Sequence, residues 1–70
     1  MASLKFSPTS LRRVRRERGL GLRTLAAQVG CRHTTIGHYE TGYRVPSTPR
    51  LAELAHALAT PMDTFFEVAE

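Results

Sequence analysis

The chain has a single cysteine, Cys31, among its 70 residues. No internal disulfide framework is possible, and such a composition suits a reducing cytoplasm. No apolar run is long enough to span a bilayer, and no basic start leads into an apolar stretch of the secretory type. Internal repeats and low-complexity segments are missing too. A chain this short buries one modest core, which leaves no room for a second domain or a deep substrate cleft. A glutamate and histidines near one another do not make an enzyme without a pocket, a positioned nucleophile or an oxyanion donor. These absences predict a small cytoplasmic domain with no catalytic site, no cofactor and no membrane partner.

Cations are missing from one end. After Arg50 there is no Lys or Arg, whereas Glu53, Asp63, Glu67 and Glu70 follow. Up to Arg50, the chain's ten basic residues are met only by Glu17 and Glu40. All but Lys5 of those ten are arginine, whose planar fork suits bidentate phosphate contact. A GC-rich coding bias would account for the arginine excess but not for its confinement to one end. A basic body and an acidic tail predict two surfaces with different partners.

The most informative stretch runs from Gly19 to Gly42, GLGLRTLAAQVGCRHTTIGHYETG. Leu22, Leu25, Ala26 and Val29 fall at helical spacing and give one short helix a buried stripe. Gly30 can take the left-handed conformation that closes it. A second helix, 33–41, follows at once with Ile36 and Tyr39 at i, i+3. At about 100° per residue, Arg32, Ile36, Tyr39 and Glu40 cluster on one side of it. Thr34, Gly37, His38 and Thr41 occupy the opposite arc. Small, hydrogen-bonding residues on an exposed arc, above a short apolar footing, suit a helix laid into the DNA major groove.

Around this pair the remaining elements read simply. Residues 1–9 are taken as an N-terminal arm, frayed or strapped over the body, with a short strand for Met1–Phe6 as the alternative. The domain proper is 10–70. Ser7-Pro8-Thr9-Ser10 offers a hydroxyl cap and a first-turn proline for an initial helix through Leu11, Val14 and Arg15 toward Gly19. Gly42 and Pro46 break the chain after the third helix. Ser47 or Thr48-Pro49 starts a fourth, with Leu51, Leu54, Ala55 and Leu58 as its apolar stripe. Thr60-Pro61 restarts the chain for a last turn or two carrying Met62, Phe65 and Phe66. The reading is all-α, five short helices and no sheet. Met62, Phe65 and Phe66 either pack over the first or fourth helix or form a self-association surface.

Taken together, LRRVRRERG, LAAQVG, TTIGHYETG, RVPS and LAELAHALATPMDTFF resemble the Cro/CI-type (xenobiotic-response-element-like) helix-turn-helix DNA-binding domains over roughly residues 10–66. The resemblance implies a compact five-helix, lambda-repressor-like domain. It implies a partly buried ion pair between Arg15 and Glu40, and physically an inward Glu40 needs such a partner. It places base-reading positions on His33, Thr34, Gly37 and His38. Thr34 offers a hydroxyl and a methyl, and the histidines can hydrogen-bond guanine N7 or O6. Gly37 either admits a close approach of backbone and base edge or is a tolerated surface residue.

Phosphate contacts are expected around the groove. The start of the second helix offers free backbone N–H groups at Leu22 and Arg23, where the dipole favours anions. Arg23 and Thr24 add side chains there. Arg32 either reaches a phosphate or covers the apolar footing. Thr35, Tyr43 and Arg44 match positions that grip the backbone in relatives. Gly21 and Leu22 stand where relatives often have a hydroxyl cap and glutamine, and the reading arc lacks Gln, Asn, Arg and Lys. Base reading is therefore expected to be modest, helped by water or DNA shape. Cys31, His33 and His38 match no zinc spacing, lack a fourth ligand, and the two histidines point about 140° apart.

The function so implied is a sequence-specific transcriptional regulator, a small phage-type, controller or antitoxin-type repressor. It would act on double-stranded DNA as a homodimer, with helix 33–41 in the major groove and half-sites about one turn apart. With no sensor domain, control would come from concentration, proteolysis or a protein partner such as a toxin. The rival reading is a helix-turn-helix protein-interaction adaptor working through its acidic, aromatic C-terminal surface.

Overall fold

Ser7 and Ser47 open two helices in the same way. A computed structural model describes residues 3–69, so Met1 and Ala2 of the expected arm and Glu70 of the acidic segment lie outside the described residues. The Ser7 side chain accepts from the Ser10 N–H at 3.3 Å and starts α1, Pro8–Glu17. The Ser47 side chain accepts from the Arg50 N–H at 3.2 Å and starts α4, Thr48–Ala57. Each has a proline in its first turn, where the missing N–H costs nothing. Between them lie α2, Leu22–Val29, and α3, His33–Thr41. Gly30 ends α2 at φ 72°, and the Cys31 N–H then reaches back to the Ala26 carbonyl at 3.0 Å. That left-handed turn lets α3 begin only three residues after α2 and cross it closely.

The helical stripes meet in one core. Leu11 and Val14 of α1, Leu25, Ala26 and Val29 of α2, and Ile36 and Tyr39 of α3 are buried together with Leu51, Leu54, Ala55 and Leu58. α2 packs on both α3 and α4, and α1 packs on α3. The stripes expected from helical spacing are thus the ones that close the core.

The C-terminal end departs from the five-helix expectation. Among the described residues there are four α-helices, then a single 3₁₀ turn, Met62–Phe65, and then a strand. Strand β1, Ser3–Phe6, pairs antiparallel with β2, Phe66–Ala69, in the register Leu4 to Val68 and Phe6 to Phe66. Phe65 explains the switch. Its ring is wholly buried, and its carbonyl accepts the Ser7 N–H at 2.7 Å, so the chain beyond it must leave alongside β1. Alternation then does the rest, placing Leu4, Phe6, Phe66 and Val68 on one face and Lys5 and Glu67 on the other. Lys5 and Glu67 lie 4.0 Å apart.

Of the two alternatives for Met62, Phe65 and Phe66, Phe65 follows the first, packing against α1 and α4. Phe65 belongs to the monomer's own core, because a chain this small cannot spare its largest apolar group. Met62 and Phe66 are half-buried against that core, while Leu4 and Val68 stand exposed beyond them.

Candidate nucleic-acid interface

The outer surface of α2, α3 and the following loop is built on one internal ion pair. Arg15 Nε donates to Glu40 Oε2 at 2.6 Å and Arg15 Nη2 to Glu40 Oε1 at 3.0 Å, a bidentate pair joining α1 to α3. A third bond, Arg15 Nη1 to the Leu20 carbonyl at 2.8 Å, ties in the turn after α1. Both side chains are at least nine-tenths buried. The hydrogen bonds to Glu40 raise the Arg15 pKa above its already high ordinary value, against the opposing effect of burial. A raised pKa means the guanidinium's contribution is present throughout the neutral range and is lost only at extreme alkalinity. Removing either partner would leave a buried charge unpaired, at a cost of about 3–5 kcal/mol.

Turning Glu40 inward has an electrostatic consequence. It is the sole acid between Glu17 and Glu53. With its carboxylate paired inside, nothing negative remains on the outer face of residues 18–52, where Arg23, Arg32 and Arg44 are all exposed. None of these three has an ion-pair partner among the described residues. Arg32 is the extended residue capping α3 and is exposed at the head of the helix.

Of the expected base-reading residues, Thr34, Gly37 and His38 sit on the opposite side of α3 from Ile36 and Tyr39, with His33 to one side in the first turn. Thr34 is exposed, and His33, Gly37 and His38 are half-buried along the same surface. His33 and Thr34 share a depression of about 510 Å³ with Arg23, Cys31 and Arg32, which brings the starts of α2 and α3 together around one concavity. A Cβ built on Gly37 would meet nothing within 4 Å, so no internal packing requires glycine there. His38 is held from behind. Its ring lies against Tyr43, with centroids 4.8 Å apart and planes at 54°.

The residues expected to grip phosphates lie at the chain ends of the motif. Gly21 precedes α2 with no side-chain cap, which leaves the first-turn N–H groups of Leu22, Arg23 and Thr24 without a side-chain partner. Leu22 itself is half-buried on the core, so only its backbone is on offer. Thr24 and Tyr43 are exposed, and Thr35 is half-buried. Among the described residues, no three His, Cys, Asp or Glu side chains come close enough to hold a metal ion.

Residues 9–65 match the family described as a helix-turn-helix domain. The chain belongs to that family. Its fold is similar to that of the restriction-modification controller protein C.AhdI from Aeromonas hydrophila, with a TM-score of 0.81 at 32% identity, over 84% of this chain and 89% of that one. It is similar to the clp gene regulator ClgR from C. glutamicum, with a TM-score of 0.77 at 29% identity, over 81% and 75% of the two chains. The P22 c2 repressor, solved with a synthetic operator, matches at a TM-score of 0.80 over 87% and 92%; at 21% identity this likeness shows the fold alone. No curated protein sequence matches the chain.

In this helix-turn-helix domain, two arginines that composition would assign to a partner serve the fold instead. Arg18 donates to the Leu58 carbonyl at 2.8 Å, the Ala59 carbonyl at 3.2 Å and Thr60 Oγ1 at 3.1 Å. Arg50 donates to the Val29 carbonyl at the end of α2. Both satisfy carbonyls that helix ends leave without partners. Sequence reasoning also missed the Tyr43–His38 contact, for which Gly42 was the available signal. A left-handed residue right after α3 folds the next side chain back over the last turn.

Proposed function

We propose that the chain is a sequence-reading DNA-binding transcriptional regulator that lays α3 into the major groove and acts by binding alone, in the cytoplasm, as a homodimer. The observation that carries this is the inward, paired Glu40, which leaves Arg23, Arg32 and Arg44 around the arc of His33, Thr34, Gly37 and His38 with no acid among them. In this reading His33, Thr34, Gly37 and His38 meet base edges. Arg23, Thr24, Arg32, Thr35, Tyr43, Arg44 and the Leu22 amide meet phosphates. Of the phage-type, controller and antitoxin-type readings, the controller type has the best support, since C.AhdI is similar over nearly its whole length. Leu4 and Val68, paired across the ribbon and exposed, offer an apolar surface for self-association, with Met62 and Phe66 half-buried against the core.

The adaptor reading loses its main feature. Phe65 is consumed by the core and Phe66 half-covered, so the aromatic surface that reading requires is largely absent. The two readings part on one experiment. Random duplexes are retained on the protein at low and moderate salt and then sequenced. The regulator selects a two-fold symmetric motif with strong salt dependence. Arg23→Ala and Arg44→Ala each weaken binding across all sequences and lower the salt slope by about two units, one for each protomer of the dimer, while leaving the motif in place. Absence of retention at low salt would defeat the proposal.

A further inference from the structure

Tyr43 has a position that core packing does not explain. It is 74% exposed, yet its ring rests on His38, a residue of the reading arc. The backbone around it is tied to the same residue. Gly42, at φ 81°, turns the chain back, so that the Arg44 N–H donates to the His38 carbonyl at 3.2 Å. Thr41 Oγ1 donates to that carbonyl as well, at 3.3 Å. The end of α3 and the start of the loop thus converge on one histidine from both its backbone and its ring.

We propose that Tyr43 is a positioning residue for His38, and that it sets base preference at the pair His38 reads without touching a base itself. This rests on the reading that α3 lies in the major groove. An imidazole on an open helix face samples several rotamers and must be ordered when it meets a base edge. The tilted ring contact restricts that sampling before DNA arrives and chooses which ring edge faces the groove. Base recognition by hydrogen bonds depends on such orientation, because an imidazole turned by one rotamer presents its nitrogens elsewhere. The phenol hydroxyl can still reach a phosphate, so Tyr43 couples the backbone grip to the reading residue.

Comparison of Tyr43→Phe, Tyr43→Ala, His38→Ala and the double variant Tyr43→Ala/His38→Ala tests this, with folding of each checked by thermal melting. In the free protein, the His38 ring proton resonances are expected to keep their shifts in Tyr43→Phe and to move in Tyr43→Ala. In duplex selection, Tyr43→Phe is expected to retain the wild-type motif with at most a few-fold loss of affinity. Tyr43→Ala is expected to lose preference at the same base pair as His38→Ala, with the double variant no worse than His38→Ala there. Unmoved His38 resonances in Tyr43→Ala, or a motif intact in Tyr43→Ala with losses that add to those of His38→Ala, would overturn the proposal and leave Tyr43 a phosphate contact only. A wild-type chain that selects no motif would overturn the groove reading, and this proposal with it.

Discussion

Gly37 sits in the middle of α3, where a glycine costs about 1 kcal/mol relative to alanine. Nothing inside the molecule asks for it: its backbone is helical and the space beside it is open. A residue that destabilises the fold without helping it pack points to what approaches from outside. Gly37→Ala is therefore expected to raise the stability of the free protein by up to about 1 kcal/mol, read as a higher melting temperature. The same variant is expected to bind DNA several-fold more weakly, because the added methyl stands where a base edge would come close. Stability and affinity moving in opposite directions is the outcome to look for; a stabilised variant with unchanged affinity would make Gly37 a bystander. The openness beside Gly37 was not legible in the sequence, since spacing places a residue on an arc but does not say what else lies over it.

At the scale of elements, the helices are held end to end by arginine. Arg18 leaves the end of α1 and bonds the carbonyls at the end of α4, and Arg50 leaves α4 and bonds the end of α2. A cation over a helix C-terminus gains from both the hydrogen bonds and the dipole. Arg18→Ala is expected to cost about 1–2 kcal/mol, a fall in melting temperature of roughly 5–15 °C for a domain of this size. DNA affinity of the folded protein should stay within about twofold, which separates Arg18 from the interface arginines. Lysine at this position should recover only part of the loss, having the charge but not the fork. In the sequence Arg18 is one of several arginines in LRRVRRERG with nothing to set it apart, because its partners lie some forty residues away.

For the whole molecule, the contrast between a basic body and an acidic tail is softened by folding. Lys5 meets Glu67 across the ribbon, Arg13 meets Glu17, Arg15 meets Glu40 and Arg50 meets Glu53. With Arg18 engaged at the end of α4, five of the ten cations serve the chain itself, and Arg12 and Arg16 lie on the outer face of α1. Arg23, Arg32 and Arg44 remain exposed and without ion-pair partners among the described residues, and they are the cations proposed to meet phosphates. Counterion release from three cations per half-site predicts a slope of log affinity against log salt of about −3 for one protomer, and about −5 to −6 for a dimer on two half-sites. All ten cations acting on DNA would give about −9 per protomer, so a salt titration of the selected operator distinguishes the two.

Local rules reached far in this chain. The stripes of α1, α2, α3 and α4, the hydroxyl caps at Ser7 and Ser47 and the glycine ends at Gly30 and Gly42 are short-range features, written within a turn or two of each residue. Spacing alone therefore placed α3 at 33–41 with Ile36 and Tyr39 inward. Tertiary structure decided what depends on partners distant along the chain. Phe65 turned an expected fifth helix into a 3₁₀ turn and a strand, since burying its ring fixed the direction in which the chain left and β1 was there to pair with it. It also decided which charges are free. A cation's availability depends on the acids and carbonyls that folding brings within a few ångströms of it, and sequence order carries no measure of that distance.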